Sequence, residues 1–259
     1  MDSGIGLLAA TAAVRRLRPD ADLVLSLDPD GMPWGPRTPE DLTRRAVTVA
    51  EAAAAHRPDA LIVGCNTATV HALTRLRALL EPGVPVIGTV PAIKPAAAGG
   101  GPFAIWATPA TTGSAYQRGL IEDFAGGLPV TEVPCWGLAE AVEHADEAAI
   151  DAAIDAAARL TPDNATTVVL GCTHYELVTE RIRAALQRPG AAPLVLHCSA
   201  GAVAAQALRR LGEQPAPHAD ADGTLTVLLS GHEGRLPAAA LHYAEGRLLP
   251  AVGPLADRR

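Results

Sequence analysis

The sequence predicts an α/β protein of two similar halves with mostly parallel sheets, and three observations carry that prediction. Short apolar runs alternate with longer Ala/Leu-rich stretches of helical period along the chain, the pattern of parallel strands covered by helices. Two strand-ending motifs echo each other, Val63-Gly64-Cys65-Asn66-Thr67 and Leu170-Gly171-Cys172-Thr173-His174, and each opens into a helical pattern. Between them Pro91 to Pro102, with prolines at 91, 95 and 102 and with Gly99 to Gly101, looks like a crossing between domains.

Taken in order, Met1-Asp2-Ser3-Gly4-Ile5-Gly6 leads into a helix over Leu7 to Leu17. Its Gly-x-Gly is a weak dinucleotide signal: a phosphate-binding loop needs a strand before it and, for the Walker type, a later Gly-Lys-Ser/Thr that is absent; a strand is expected ahead of Asp2, upstream of Met1. Ala21 to Leu27 reads as a strand and Asp28 to Gly35 as a loop. Thr38 caps a helix with Pro39 in its first turn and Glu40 and Asp41 at its positive end, running to about His56. Ala60 to Gly64 is a buried parallel strand with Cys65 at its carboxyl end, where open α/β sheets place ligands. A helix over Thr67 to Leu80 and a strand over Val84 to Gly88 complete the first set.

After the crossing come strand Phe103 to Ala107, helix Gly113 to Ala125, strand Pro129 to Val133, helices Trp136 to Glu143 and Glu147 to Leu160, and strand Thr166 to Gly171. The next helix is predicted from near Tyr175 to Pro189-Gly190. Strand Leu194 to His197, helix Ser199 to Leu211, loop Gln214 to Gly223 and strand Thr224 to Leu229 follow. A final helix is expected around Leu236 to Gly246, and a frayed end over Pro250 to Arg259.

The 259 residues are 49% hydrophobic but only 3% aromatic, so Ala, Val, Leu and Ile must fill the core. A formal charge of -7 gives no reason to bind nucleic acid or an anionic membrane. No apolar run approaches the roughly 18 residues of a spanning helix, and the N-terminus lacks the pattern of a secretory signal; a soluble cytoplasmic protein is expected. Cys65, Cys135, Cys172 and Cys198 are too sparse for a disulfide scaffold and are expected as reduced thiols. There is no CxxC, and neither Cys172-Thr173-His174 nor His197-Cys198 has structural zinc spacing, so no metal site is expected.

A thiol at a strand-to-helix junction gains from the positive helix end and becomes a usable base near neutral pH. Two such thiols, one from each half, suit proton exchange at a stereocentre. One thiolate removes the proton from one face, the other thiol protonates the opposite face, and no bound cofactor is needed. Ser3, Asn66, Thr67 and Thr173 could hold substrate carboxylates. Asp2 and His174, the titratable residues nearest the motifs, could accept or relay a proton. Cys135 and Cys198 read as packing residues.

Asp2-Ser3-Gly4-Ile5-Gly6 looks like a DSG(V/I)G motif, Pro33-Trp34-Gly35 like PYG, and Cys65-Asn66-Thr67-Ala68 like CNTA. Pro85 to Ala96 matches a known inter-domain segment, Thr108-Pro109-Ala110-Thr111 with Ser114-Ala115-Tyr116 looks like TPAT followed by GAY, and Leu170 to Tyr175 reads LGCTHY. Together, over Asp2 to about Leu211, these resemble the glutamate racemases of the aspartate/glutamate racemase superfamily. The resemblance implies a cofactor-independent racemase of two pseudo-symmetric three-layer α/β domains with the active site at their interface. Residues 1–93 plus 199–259 would form the first domain, carrying Cys65, and 94–198 the second, carrying Cys172. Cys65 would act on D-glutamate with help from Asp2, and Cys172 on L-glutamate with help from His174. Ser3, Pro33, Trp34, Gly35, Asn66, Thr67, Thr108, Thr111 and Thr173 would bind substrate. A homodimer supplying D-glutamate for peptidoglycan is implied as well.

The chain departs from the pattern at Trp34, which replaces a Tyr and its hydroxyl, and at Leu7, Glu176 and Cys198, which stand for Gly, Pro and Asp. Two alternatives follow. One is a related isomerase or decarboxylase on another acidic substrate such as aspartate; the other is a non-catalytic binding protein that kept the fold.

Overall fold

A computed structural model of the chain describes residues 1–188, 190 and 192–249. In chain order its elements are α1 (Leu8–Leu17), β1 (Leu23–Leu27), α2 (Pro39–Ala54), β2 (Leu61–Val63), α3 (Asn66–Leu80), β3 (Val86–Gly88), α4 (Ile93–Ala97), β4 (Phe103–Ala107), α5 (Ala115–Ala125) and β5 (Val130–Pro134). Then come α6 (Leu138–Glu143), α7 (Glu147–Leu160), β6 (Thr167–Leu170), α8 (Thr179–Leu186), β7 (Val195–His197), α9 (Ala200–Leu211), β8 (Leu225–Leu229), β9 (His232–Glu233) and α10 (Ala244–Leu248). The helix starts follow local chemistry. The Thr38 hydroxyl accepts from the Asp41 N–H at 3.3 Å to open α2, and the Asp146 carboxylate accepts from Ala149 N–H at 3.0 Å to open α7.

Two sheet regions result. β5-β4-β6-β7 is wholly parallel. In the other region β1 pairs in parallel with β8, and β2 with β3. Met1 and Asp2 join these two pairs. The Met1 nitrogen donates to the Ile62 carbonyl at 2.7 Å and Gly64 N–H to the Met1 carbonyl at 2.8 Å, while Asp2 N–H donates to Ser26 and Asp28 N–H to Ser3 at 3.1 and 3.2 Å. Met1 and Asp2 thus lie between β1 and β2. A cavity of about 520 Å³ lies toward Leu23 and Ala60.

Burial is continuous across the molecule. One apolar cluster includes Ile5, Leu8 and Leu27 beside the first sheet region and Trp106, Leu170 and Tyr175 from the second. Removing such side chains from water is what holds the two regions together. A second cluster packs Leu42, Val49 and Leu76 of α2 and α3 on Leu61 and Val63.

Four expectations change. The final helix is interrupted: a 3-10 turn covers Ala238–His242, and Tyr243 is extended before α10, because its buried hydroxyl reaches across to the Val142 carbonyl at 2.6 Å. The segment after Cys172 begins with a 3-10 stretch, Thr173–Val178, and turns α-helical only at Thr179. The crossing holds α4, whose Ile93 and Ala96 are buried against Phe103 and Ile105. β9 pairs antiparallel with β8, too short a strand to show in the sequence pattern. The expected frayed end, 250–259, and the helix stop at Pro189 lie outside the described residues. Among the described residues no helix is long and apolar enough to cross a membrane.

Candidate active site

The two echoing motifs fold alike. Cys65 follows β2 with φ -138° and ψ 122° and precedes α3; Cys172 follows β6 with φ -137° and ψ 135° and precedes the 3-10 stretch. Gly171 permits the second turn, since a Cβ there would lie 3.0 Å from the Trp106 carbonyl oxygen. Both thiols line one cavity of about 260 Å³. All thirteen residues expected from the sequence reach its wall: Cys65, Cys172, Asp2, His174, Ser3, Pro33, Trp34, Gly35, Asn66, Thr67, Thr108, Thr111 and Thr173. The carboxyl ends of parallel strands converge there, as ligand crevices in such sheets do.

Cys65 is buried beside Asp2. The Asp2 carboxylate accepts from Ser3 N–H at 2.6 Å and, through its other oxygen, from the Thr173 hydroxyl at 3.2 Å, which ties the N-terminal segment to the second motif. Burial raises the Asp2 pKa against the opposing pull of the His174 charge and the Ser3 hydrogen bond. Burial, reinforced by the Asp2 charge, also pushes the Cys65 thiol well above its ordinary value. Burial thus disfavours the charged form of both groups in this corner.

Cys172 is partly exposed and has a different neighbour. Its Sγ lies 3.9 Å from His174 Nδ1, and His174 Nε2 lies 2.9 Å from Glu143 Oε2. The same carboxylate oxygen accepts from Ile5 N–H at 2.7 Å. Burial alone would lower the His174 pKa, but hydrogen bonds to Cys172 and Glu143 outweigh it, and the imidazole sits well above its usual value. The imidazole thus stands between the thiol and Glu143.

Neutral groups finish the cavity. Asn66 donates through Nδ2 to the Gly171 carbonyl at 2.9 Å, bridging the two motifs, and its buried Oδ1 has no partner. The Thr108 and Thr111 hydroxyls lie 3.2 Å apart. Trp34 is buried and its indole N–H donates to Asp28 at 2.9 Å, so that donor is already used. No Lys or Arg lines the cavity.

Three participants escaped the sequence reading. Glu143 closes a short helix with no local motif. Gly6 is part of the weak nucleotide signal and of the DSG(V/I)G-like motif, but its role emerges only in the fold, where a Cβ there would lie 2.5 Å from Thr173 Oγ1, 2.6 Å from His174 Nδ1 and 2.7 Å from Asp2 Oδ2. Trp136 was read only as the start of a helix. The departures Glu176 and Cys198 stay off the cavity. Buried Glu176 accepts from Ser199 N–H at 2.8 Å, Ser199 Oγ at 2.6 Å and Ala200 N–H at 3.2 Å, and so holds the start of α9. Burial pushes the Cys198 thiol up to about 11 and the Cys135 thiol higher still, consistent with packing roles.

Residues 7–208 match the model of the Asp/Glu/Hydantoin racemase family. The chain belongs to this family. A glutamate racemase of Pseudomonas putida (strain W619) is 35% identical over 217 residues, 82% of this chain and 79% of that protein. A glutamate racemase of Roseiflexus sp. (strain RS-1) is 38% identical over 191 residues, 71% of this chain and 69% of the relative. Escherichia coli glutamate racemase, solved in complex with L-glutamate and the activator UDP-MurNAc-ala, superposes with a TM-score of 0.74 at 27% identity over 92% of this chain and 89% of that one. The Escherichia coli enzyme thus shares the fold described above.

Proposed function

We propose that this racemase interconverts L- and D-glutamate without a cofactor, by two-base proton transfer at Cα. The observation that carries the proposal is the pair of thiols on one cavity, each with its own proton partner. From L-glutamate, the Cys172 thiolate takes the Cα proton while the His174 imidazolium, held by Glu143, steadies the sulfur. The Cys65 thiol protonates the opposite face, and Asp2 replaces the proton that Cys65 gives up. From D-glutamate the order reverses. The partnerless Asn66 Oδ1 accepts from the substrate ammonium, and the hydroxyls of Ser3, Thr67, Thr108, Thr111 and Thr173 donate to carboxylate. Pro33, Trp34 and Gly35 supply a wall.

On this reading residues 1–93 plus 199–259 and residues 94–198 act as two domains around the substrate. The protein works as a cytoplasmic homodimer and its D-glutamate enters peptidoglycan. Incubation with L-glutamate in D₂O, without pyridoxal phosphate, is expected to yield D-glutamate carrying α-deuterium; folded protein that gives neither product overturns the proposal. A second reading, aspartate or another small dicarboxylic amino acid as substrate, is favoured by the engagement of the Trp34 N–H on Asp28 in place of a free hydroxyl. A panel of acidic amino acids under the same conditions separates the two.

A further inference from the structure

The three tryptophans are unequal. Trp106 is 0% exposed and donates to the Thr161 hydroxyl at 2.8 Å; Trp34 is 1% exposed and donates to Asp28 at 2.9 Å. Trp136 is 71% exposed, and its indole N–H has no partner among the described residues. Its N–H is therefore open to water or to a molecule in the cavity that Trp136 lines.

Trp136 is also fixed in place. The preceding Cys135 is buried and its N–H donates to the Ala107 carbonyl at 2.9 Å; the following Gly137, at φ 71°, turns the chain into α6, whose first residue Leu138 is fully buried. These anchors hold the backbone of Trp136, which lines the same cavity as Pro33 and Pro36.

A dicarboxylic amino acid brings two carboxylates into a cavity without Lys or Arg, where the one imidazolium is already shared between Cys172 and Glu143. Neutral donors must therefore hold both carboxylates, and the Trp34 N–H is committed to Asp28. We propose that Trp136 binds the side-chain carboxylate of the substrate through its indole N–H, with its ring covering the cavity mouth. This rests on the proposed function and extends it to the residue that selects a dicarboxylic substrate. Glu140 lines the same cavity, and its charge repels a carboxylate brought close to it.

The test compares Trp136→Phe, which keeps a ring and deletes the N–H, with Trp136→Leu. For L-glutamate, Trp136→Phe is expected to raise KM about tenfold, the effect of one hydrogen bond to a charged group, with kcat within about threefold. Trp136→Leu should raise KM further. Titration with D-glutamate should blue-shift and quench wild-type tryptophan fluorescence, and that change should vanish in Trp136→Phe while Tm holds. If the wild type turns over glutamate and Trp136→Phe has a KM within twofold of it, the Trp136 assignment is overturned and the racemase reading stands. If the wild type does not turn over glutamate, the glutamate reading falls, and the same titration with mono- and dicarboxylic amino acids decides. A response to dicarboxylates alone, lost in Trp136→Phe, supports the assignment, and its absence overturns it.

Discussion

Cys65 and Cys172 occupy nearly the same backbone conformation at the ends of equivalent strands, yet they are set in different chemistry. Cys65 is buried against a carboxyl whose own pKa is raised. Cys172 is partly open and leans on an imidazole that a second carboxylate steadies. Repetition of a backbone turn fixes where a thiol sits; the side chains brought in from elsewhere decide which proton it can trade. Removing partners one at a time shows how deep that difference goes.

The largest effect belongs to the thiols. Cys65→Ser and Cys172→Ser should each lower racemisation by about a thousandfold or more, within the span of a lost acid/base group, while slow α-proton exchange from one enantiomer survives. Turnover within tenfold of wild type in either variant breaks the two-base scheme. Next come the partners. Asp2→Asn and His174→Asn should each cost about a hundredfold in kcat. Because the two enantiomers are equal in energy, kcat/KM must fall equally in both directions. The asymmetry is expected instead in the primary deuterium isotope effect, raised in His174→Asn when the reaction starts from L-glutamate and in Asp2→Asn when it starts from D-glutamate.

Glu143→Gln acts through His174 and should lower kcat about tenfold. It also carries a pH signature. A histidine whose folded pKa is raised contributes stability that is complete below its unfolded value of 6.5 and is lost as pH rises through the folded one. Urea midpoints of the wild type should therefore fall as pH climbs above about 6.5, and Glu143→Gln should flatten that fall; an unchanged slope would show that Glu143 does not hold the imidazolium. The smallest catalytic effect is expected at Glu176→Ala. Loss of its bonds to Ser199 and Ala200 should destabilise the protein by about 1–2 kcal/mol, measured by denaturant unfolding, with turnover per folded molecule within twofold.

Much of this site was legible because its motifs are local. A strand, a glycine, a cysteine and small polar residues say where a crevice lies in a parallel sheet; Pro33 to Gly35, Thr108 and Thr111, which also line the cavity, were named only through the family resemblance. Long-range partners were not legible. Glu143 meets His174 across 31 residues and Ile5 across 138, and no spacing rule encodes either contact. Gly6 looked like half of a nucleotide loop because the reason for its lack of a side chain, the crowding of Asp2, Thr173 and His174, exists only after folding. Tyr243 breaks the last helix for a similar reason, its hydroxyl being claimed by Val142. Tertiary contact overrides a helical pattern in such places.

The Asn66 amide that reaches the Gly171 carbonyl bears on how molecules enter and leave. Swinging the halves apart at their centre would strip that buried pair of its bond, a loss of about 1–3 kcal/mol before any other contact is counted. Entry and release that keep this bond intact therefore cost least, and the bond holds the two motifs in register.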